Sequence, residues 1–249
     1  MTPLVTIVIP CHGQARFLRE AIESALDQSY PSVEVVVVDD AAPDGWLAAS
    51  VADEFGVRFV RTPSTLGPGG ARNAGIEASR GDYVLPLDAD DLISCDYVAR
   101  AVSVLEASPQ AGVCYCKVQT FGGPAGWWEP APGWSLRDLI AANRLHTASL
   151  YRRVCWEQAR GYPPLALCED WDFWIAVARN GWTFVRIAEY HVYKRQHERN
   201  LTHGLWYRFA YYCRLINQRH AVAARDGCIA FDVEVPHLSA GSVFDQGDA

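Results

Sequence analysis

Three carboxylates follow a short apolar run in the middle of the chain, and their spacing suits the binding of a cation. The run is Tyr83–Leu87, and the acids are Asp88, Asp90 and Asp91. A run this short, followed at once by acids, is typical of a buried strand whose carboxyl end opens into a cleft. If the backbone stays extended to Asp90, the two-residue period of a strand turns Asp88 and Asp90 to one side.

The residue types favour a hard cation that is bound together with phosphate. Under the extended geometry Ala89 points away from the two acids and leaves room for a ligand. Oxygen ligands without nearby cysteine or histidine favour Mg²⁺ or Mn²⁺, and phosphate oxygens commonly fill the open positions of such a cation. The alternative is an acidic turn that caps the helix predicted to begin near Ser94 or Asp96.

A second acidic pair follows another predicted strand. The pair is Asp39 and Asp40, directly after the predicted strand over residues 33–38. The predicted strand before that one ends at Pro10. The helical pattern between the two strands predicts a right-handed crossover and parallel pairing. Both acidic pairs should therefore emerge at the carboxyl edge of one sheet, where open α/β sheets bind ligands.

Three further segments carry charged residues whose role the residues alone leave open. A glycine-rich turn, residues 65–75, leads into a helix in which Arg72 could contact a nucleotide or pair with a strand-end aspartate. Glu169 and Asp170 open another predicted helix, where acids are also ordinary partners of the helix dipole. His197 lies in a polar turn, where a neutral imidazole could bind a metal or stay solvated.

Composition argues against several classes of protein. With 249 residues and 50% hydrophobic content the chain can bury a full core, and we predict one domain over residues 1–224. The formal charge is -7, from 22 Lys and Arg against 29 Asp and Glu, so we expect no overall attraction to nucleic acid or anionic lipid. Without a basic, apolar leader or an apolar run of transmembrane length, we expect a cytoplasmic location.

The order of predicted elements changes along the chain. Residues 1–119 alternate strands and helices, whereas residues 120–202 begin with an irregular stretch, Phe121–Trp134, rich in glycine, proline and tryptophan. Its tryptophans could stack on sugar rings or pack over an edge of the core. A helix over residues 203–224 follows, which could dock on the domain, on a second subunit or on a membrane surface, and residues 225–249 are predicted as a tail.

Seven short segments match, in their order along the chain, the motifs of one enzyme family. They are Thr6–Pro10, Gln28–Pro31, Val37–Asp40, Ala71–Gly75, Asp88–Asp91, Glu169–Asp170 and Tyr193–His197. Together they resemble a family 2 glycosyltransferase, over about residues 5–202. The resemblance implies a GT-A type α/β fold: a Rossmann-like, mostly parallel mixed sheet flanked by helices, with an irregular acceptor-side C-terminal part. The chain departs from the family at His12 and Gly13, where an aromatic residue and asparagine are usual.

The resemblance implies a donor site for a nucleoside-diphosphate sugar. Asp40 would hold the base, usually uracil, and Pro10 would line the same pocket. Asp88 would contact the ribose and stand beside the metal, and Asp90 would coordinate Mn²⁺ or Mg²⁺ on the diphosphate. We also expect Ala89 and Arg72 among the residues that bind the nucleotide sugar.

The resemblance further implies an inverting transfer to a hydroxyl group. Asp170 would be the general base, with Glu169 beside it, and His197 matches a histidine that in some members reaches the metal or the diphosphate. The donor is expected to be a UDP-sugar, and the acceptor a hydroxyl-bearing glycan, lipid or small molecule. The helix over residues 203–224 could also form a homodimer contact or a peripheral contact with the inner face of the membrane.

Three other functions compete with this interpretation. A Rossmann-fold oxidoreductase would need other glycines in the first turn, which is Pro10–Gly13. A sugar-phosphate nucleotidyltransferase normally places a glycine-rich, basic loop after the first strand, unlike this chain. A catalytically silent protein that binds nucleotide sugars is the third, although the presence of Asp88, Asp90 and Asp170 together favours an enzyme.

Overall fold

The computed structural model describes residues 2–198, 201–220 and 232–235, with the backbone alone for residues 201–208 and 232–235. In these residues one mixed sheet has helices against both faces. The strands are β1 (Val5–Cys11), β2 (Val33–Asp39), β3 (Arg58–Arg61), β4 (Tyr83–Pro86), β5 (Leu92–Ile93), β6 (Ala111–Phe121), β7 (Trp127–Trp128), β8 (Leu150–Arg152), β9 (Thr183–Arg195) and β10 (Asp232–Val235). The helices are α1 (Ala15–Leu26), α2 (Gly45–Glu54), α3 (Gly67–Glu77), α4 (Tyr97–Ala107), α5 (Leu136–Ala141), α6 (Arg153–Ala159), α7 (Glu169–Arg179) and α8 (Leu201–His220).

The strand order makes β4, β1 and β2 neighbours, and these three strands lead to the predicted ligand site. Across the described residues the order is β10-β9-β6-β8-β4-β1-β2-β3, with β5 beside β9 and β7 beside β6. β1 pairs parallel with both β2 and β4, as the crossover pattern predicts. β8 runs antiparallel to β4 and β6, so it joins two parallel blocks in one mixed sheet. The carboxyl ends of β1, β2 and β4 therefore share one edge.

Helices cover both faces of the central strands, which explains why these strands are apolar throughout. Ile7 and Ile9 are fully buried on the face that α1 and α4 cover, and Val8 is fully buried on the face that α3 covers. Helix α3 approaches closely at Gly75, where an added Cβ would lie 2.5 Å from a methyl group of Val8. This close packing brings α3, with Arg72, to the ligand edge.

The structure corrects the prediction for the stretch that begins at Phe121. β6 continues to this residue, and the two-residue strand β7 pairs antiparallel with it, so the predicted irregular stretch contains a hairpin. Trp134 is buried in the core, which agrees with packing, whereas Trp127 is 67% exposed, and its stacking on a sugar ring stays a prediction. After this stretch, Ser135 and Asp138 form a capping box at the start of α5.

The end of the chain differs in part from the prediction. In the described part of α8 Ile216 is fully buried, and His220 is buried with its Nε2 2.9 Å from Oδ1 of Asp172 in α7, so this part docks on the domain. Residues 232–235 form β10, parallel to β9, instead of the predicted tail. Residues 221–231 and 236–249, which cover the rest of the predicted helix and tail, lie outside the described residues.

Contact with a second subunit or with a membrane surface was also left open for the C-terminal helix, and both stay predictions. None of the helices in the described part of the chain combines the length and the apolar character that crossing a bilayer requires.

Candidate functional site

The acidic stretch forms a tight turn at the carboxyl edge of the sheet, which we call the acidic turn (Asp88–Asp91). The backbone N–H of Asp91 donates to the carbonyl oxygen of Asp88 at 3.0 Å, so the predicted extended backbone through Asp90 is wrong. The turn itself gathers the acids: one carboxylate oxygen from each of Asp88, Asp90 and Asp91 lies within 4.8 Å of the others. Ala89 is fully buried, and its side chain belongs to the core.

The end of β9 holds the acidic turn in place. Arg195 donates its backbone N–H to Oδ1 of Asp91 at 2.9 Å and its Nε to the carbonyl oxygen of Asp90 at 3.0 Å. His197, just beyond β9, places Nε2 2.8 Å from Oδ2 of Asp90, and Gln14 donates to the same oxygen at 3.0 Å. A segment more than a hundred residues further along the chain therefore completes the surroundings of the turn.

Arg72 joins the acidic turn to helix α7. Its side chain is 3% exposed, its Nη2 donates to Oδ1 of Asp88 at 2.8 Å, and its Nη1 donates to Oε1 of Glu169. The guanidinium also lies over the ring of Tyr162, 5.6 Å from the centroid. Of the two roles predicted for Arg72, the structure shows the pairing with a strand-end aspartate. Because buried charges need partners, this bridge fixes the two carboxylates relative to each other.

Burial and charge oppose each other in the acidic turn. Burial alone would raise the pKa of Asp88, but the positive charges of Arg72 and Lys194 outweigh it and lower the pKa below its usual value. Burial and the charge of Asp88 raise the pKa of Asp90. Burial raises the pKa of Asp91 to about 8, although Lys194 acts in the opposite direction. Extra positive charge at the turn would therefore favour the ionised acids.

The donor atoms of the turn fit a hard divalent cation. Oδ2 of Asp91 is buried and has no hydrogen-bond partner among the described residues, with Nε2 of His146 at 3.7 Å and Nζ of Lys194 at 3.9 Å. Carboxylate oxygens together with an imidazole are ligands that Mn²⁺ accepts. The 2.8 Å between His197 Nε2 and Asp90 Oδ2 is close to the separation of about 3 Å between adjacent octahedral ligands with bonds of about 2.1 Å.

Asp170 lies in the first turn of α7, and hydrogen bonds fix the orientation of its carboxylate. Thr147 donates its hydroxyl to Oδ2 at 2.9 Å, and the backbone N–H of Trp171 donates to Oδ1 at 2.7 Å. Burial lowers the pKa of Lys194, but the three acids of the turn and Asp170 raise it above its usual value. Arg72 joins Asp88 of the acidic turn to Glu169, the residue before Asp170, so the start of α7 lies beside the turn.

Asp40 lies further along the same edge. It follows β2, and β1 separates it from Asp88, so a strand spacing of about 4.8 Å puts the two acids roughly 10 Å apart. Its buried carboxylate accepts the backbone N–H groups of Leu66 and Gly67, at 2.8 and 2.9 Å, and the hydroxyl of Thr62 at 3.0 Å. Asp40 thus holds the glycine-rich turn in place, too far from Asp88 to share one cation but within the span of one nucleotide.

The end of β1 lies between the two acidic groups. Pro10 pairs with Val38 of β2 in the register of the sheet, one residue before the end of β1. His12, which stands where the family usually has an aromatic residue, is exposed and places its Nδ1 2.8 Å from the carbonyl oxygen of Asp40. The imidazole of His12 therefore keeps an aromatic ring at this position, and its contact with the carbonyl oxygen of Asp40 holds the ring in place.

Two strained backbone positions adjoin the candidate residues. Ala41, with φ 51°, follows Asp40, and Cys168, with φ 62°, precedes Glu169. A non-glycine residue in this region costs about 1–3 kcal/mol and persists only where the surrounding structure imposes it, as at ligand sites. Both positions directly adjoin a candidate residue in the chain, Asp40 and Glu169.

Sequence reasoning missed several residues of the site. Asp91 was named in the acidic stretch without a role and Lys194 was not singled out, although both lie inside segments that match the family. No motif marks His146 or Thr147, which lie between α5 and β8 and reach the acids only through folding.

Comparison with known proteins assigns the family. Residues 6–162 match the sequence profile described as Glycosyl transferase family 2. The chain belongs to this family. The prediction from the seven motifs is confirmed, although the profile ends before Glu169, Asp170 and His197. The roles of all the candidate site residues stay predictions.

The sequence relatives of this family 2 chain match it over less than half of its length. The succinoglycan biosynthesis protein ExoO of Rhizobium meliloti (strain 1021) is 43% identical over 108 residues, which are 43% of this chain and 31% of that protein. An uncharacterized glycosyltransferase of Haemophilus influenzae is 33% identical over 106 residues, 41% of this chain and 42% of that protein. The chain therefore matches less than half the length of these relatives.

Solved structures confirm the GT-A type fold. TarS 1-349 of S. aureus in complex with UDP-GlcNAc has a TM-score of 0.69 at 20% identity, covering 79% of this chain and 60% of that chain. The mannosyltransferase PcManGT from Pyrobaculum calidifontis, in complex with GDP-Man and Mn²⁺, has a TM-score of 0.67 at 22% identity, covering 91% of this chain and 66% of that chain. At such identities the likeness establishes the fold alone.

Replacing Arg72 with methionine tests the buried bridge. Arg72→Met leaves the buried Glu169 and the partly buried Asp88 without their common cation, so we expect the free energy of unfolding to fall by about 3–5 kcal/mol in urea denaturation. The matched control is Arg19→Met, which breaks the exposed pair with Glu54 and should change stability little. A loss for Arg72→Met no larger than for the control would contradict the bridge.

Proposed function

We propose that this family 2 protein transfers a sugar from a nucleoside diphosphate, with UDP as the nucleotide, to an acceptor hydroxyl with inversion. The observation that carries the proposal is the cluster of carboxylates in the acidic turn at the carboxyl edge of a GT-A sheet, joined by Arg72 to Glu169, the residue before Asp170. TarS in complex with UDP-GlcNAc and PcManGT in complex with GDP-Man and Mn²⁺ share this fold, which supports a nucleotide-sugar donor and a divalent cation.

Asp40 and Asp88 are assigned to the nucleoside. Oδ2 of Asp40 accepts one hydrogen bond, from Gly67, and a carboxylate oxygen can accept a second, so it can bind an N–H of the base beside Pro10. Arg72 holds one oxygen of Asp88, which leaves the other for a ribose hydroxyl. We assign Arg72 to holding Asp88, and Ala89 to the core of the turn, rather than to direct contact with the donor.

Asp90, with Asp88 and His197, is assigned to a bound Mn²⁺ or Mg²⁺, and Asp91 adds a fourth donor group beside them. When bound, the cation would stabilise the negative charge that develops on the departing diphosphate. The structural support for this assignment is the spacing of the carboxylates and the buried Oδ2 of Asp91, which accepts no hydrogen bond from the described residues.

Asp170 is assigned as the general base. It accepts the proton of the acceptor hydroxyl while the hydroxyl oxygen bonds to the anomeric carbon and the bond from that carbon to the phosphate oxygen breaks. Attack from the face opposite the diphosphate inverts the configuration. Oδ1 of Asp170 keeps a free acceptor position after its bond to the amide of Trp171. Glu169 is a positioning residue, because Arg72 holds its carboxylate.

A catalytically silent protein that binds nucleotide sugars is the competing function. It shares the donor site and differs in turnover, so donor hydrolysis across a panel of nucleotide sugars separates the two and also identifies the donor. We expect slow hydrolysis of one UDP-sugar in the presence of Mn²⁺. Binding without hydrolysis or transfer of any donor in the panel would favour the silent protein.

The metal assignment predicts the behaviour of Asp90→Ala. Loss of this ligand should weaken Mn²⁺-dependent binding of UDP by more than about tenfold in calorimetry, since even residues that only support metal ligands change affinity by about 10–100-fold. The control is Asp53→Ala, which removes an exposed acid of α2. Equal UDP affinity in Asp90→Ala and the control would refute the assignment.

The assignment of the base predicts the behaviour of Asp170→Asn. The amide keeps the shape of the side chain but cannot accept the proton, so transfer should slow by about 10²–10⁴-fold while UDP affinity stays within about twofold. Steady-state rates with the donor that the panel identifies, together with UDP calorimetry, make the measurement. Transfer at the wild-type rate would show that Asp170 is not the base.

A further inference from the structure

Two side chains approach the buried carboxylate of Asp91 without completing its hydrogen bonding. Its Oδ1 accepts the backbone N–H of Arg195, whereas its Oδ2 has no hydrogen bond among the described residues. Nε2 of His146 lies 3.7 Å from Oδ2, and Nζ of Lys194 lies 3.9 Å from it. Both separations are longer than a hydrogen bond. These groups therefore act on Asp91 through charge and dipole.

Of the two neighbours, only Lys194 brings a full charge. Nδ1 of His146 accepts the backbone N–H of Ala148 at 3.1 Å, so the ring carries its single proton on Nε2 and is neutral. The guanidinium of Arg72 is already shared between two other carboxylates. Lys194 is therefore the counter-cation that faces the Asp91 side of the acidic turn.

A metal ion on the acidic turn would lie close to this ammonium. An ion bound to Oδ2 of Asp91 at about 2.1 Å could lie no more than about 6 Å from Nζ of Lys194, because that oxygen is 3.9 Å from Nζ. Like charges at this distance repel, and the repulsion is stronger beside a fully buried carboxylate than in water. The metal and the ammonium thus compete for the same negative charge.

The residue type fits a cation that can give way to a metal. Lys117 and Lys194 are the only lysines in the sequence, which otherwise uses arginine for its basic residues. An arginine at position 194 could close a bidentate pair with Asp91, whereas an ammonium is a compact charge on a flexible stem. The side chain of Lys194 is 37% exposed, so it has room to move toward solvent.

We propose that Lys194 competes with the divalent metal for the acidic turn, so that the free protein binds the metal weakly. The inference rests on the metal site of the proposed function. The negative charge of a bound nucleoside diphosphate offsets the ammonium, which couples binding of the metal to binding of the donor. Lys194 thereby limits occupation of the site by metal alone.

This competition can be tested without turnover by titrating the full chain with Mn²⁺ alone. Electron paramagnetic resonance measures the concentration of free Mn²⁺ at each step. Lys194→Met removes the charge and keeps an apolar stem, so Mn²⁺ should bind about tenfold more tightly than to the wild type. Lys194→Arg should bind Mn²⁺ no more tightly than the wild type. The matched control is Lys117→Met on β6. It loses the ion pair between Lys117 and Glu129 and should leave the Mn²⁺ affinity unchanged.

The same titration with Asp90→Ala separates the two claims. If Asp90→Ala loses Mn²⁺ while Lys194→Met gains no affinity, the role of Lys194 is overturned and the metal site stands. If Asp90→Ala binds Mn²⁺ like the wild type, the metal site itself is overturned. Thermal unfolding checks that each variant is folded, and Lys194→Gln replaces Lys194→Met if the latter is not.

Discussion

A buried guanidinium between two carboxylates is the interaction on which the rest of the site depends. Arg72 belongs to α3, Asp88 to the turn after β4, and Glu169 to the start of α7. A buried charge is tolerated only when partners surround it, so the three segments must meet in one arrangement. The position of Asp170, next to Glu169, follows from that arrangement. The bridge thus sets the distance between the donor-binding edge and the candidate base.

The acidic turn needs support from the far end of the chain. Three neighbouring acids repel one another. The end of β9 offsets this repulsion through the backbone N–H and guanidinium of Arg195 and the ammonium of Lys194, and His197, just beyond β9, adds its imidazole. β9 reaches the turn because β5, directly after the acids, pairs antiparallel with it. The family profile ends at residue 162, so the segments that complete the acidic site lie beyond the part that matches it.

Local patterns were enough to predict the first half of the fold. The apolar strands before Pro10 and Asp40 and the helical periods between them gave the parallel sheet and its carboxyl edge, because those signals are repeated within a few residues. The turn at Asp88 was predicted less well. An extended strand and a tight turn both bring alternate acids together, and only the hydrogen bond from Asp91 to Asp88 distinguishes them.

The remaining features of the site depend on contacts between distant segments. The pairing of Arg72 with Glu169 spans 97 residues, and that of Thr147 with Asp170 joins a loop to a helix start without a shared motif. The hairpin at Trp127 and the strand at residues 232–235 arise from pairing with strands already in the sheet, which no local period reveals.

The most direct measurement of the central claim is an anomalous diffraction map of a crystal of the protein with Mn²⁺ and UDP. We expect one manganese peak within about 2.2 Å of an oxygen of Asp90 and in contact with both phosphates of UDP. The uracil should lie beside Asp40, and Asp170 should lie across an open space from the diphosphate. A manganese peak away from the acidic turn, or phosphates that do not meet the metal there, would contradict this claim.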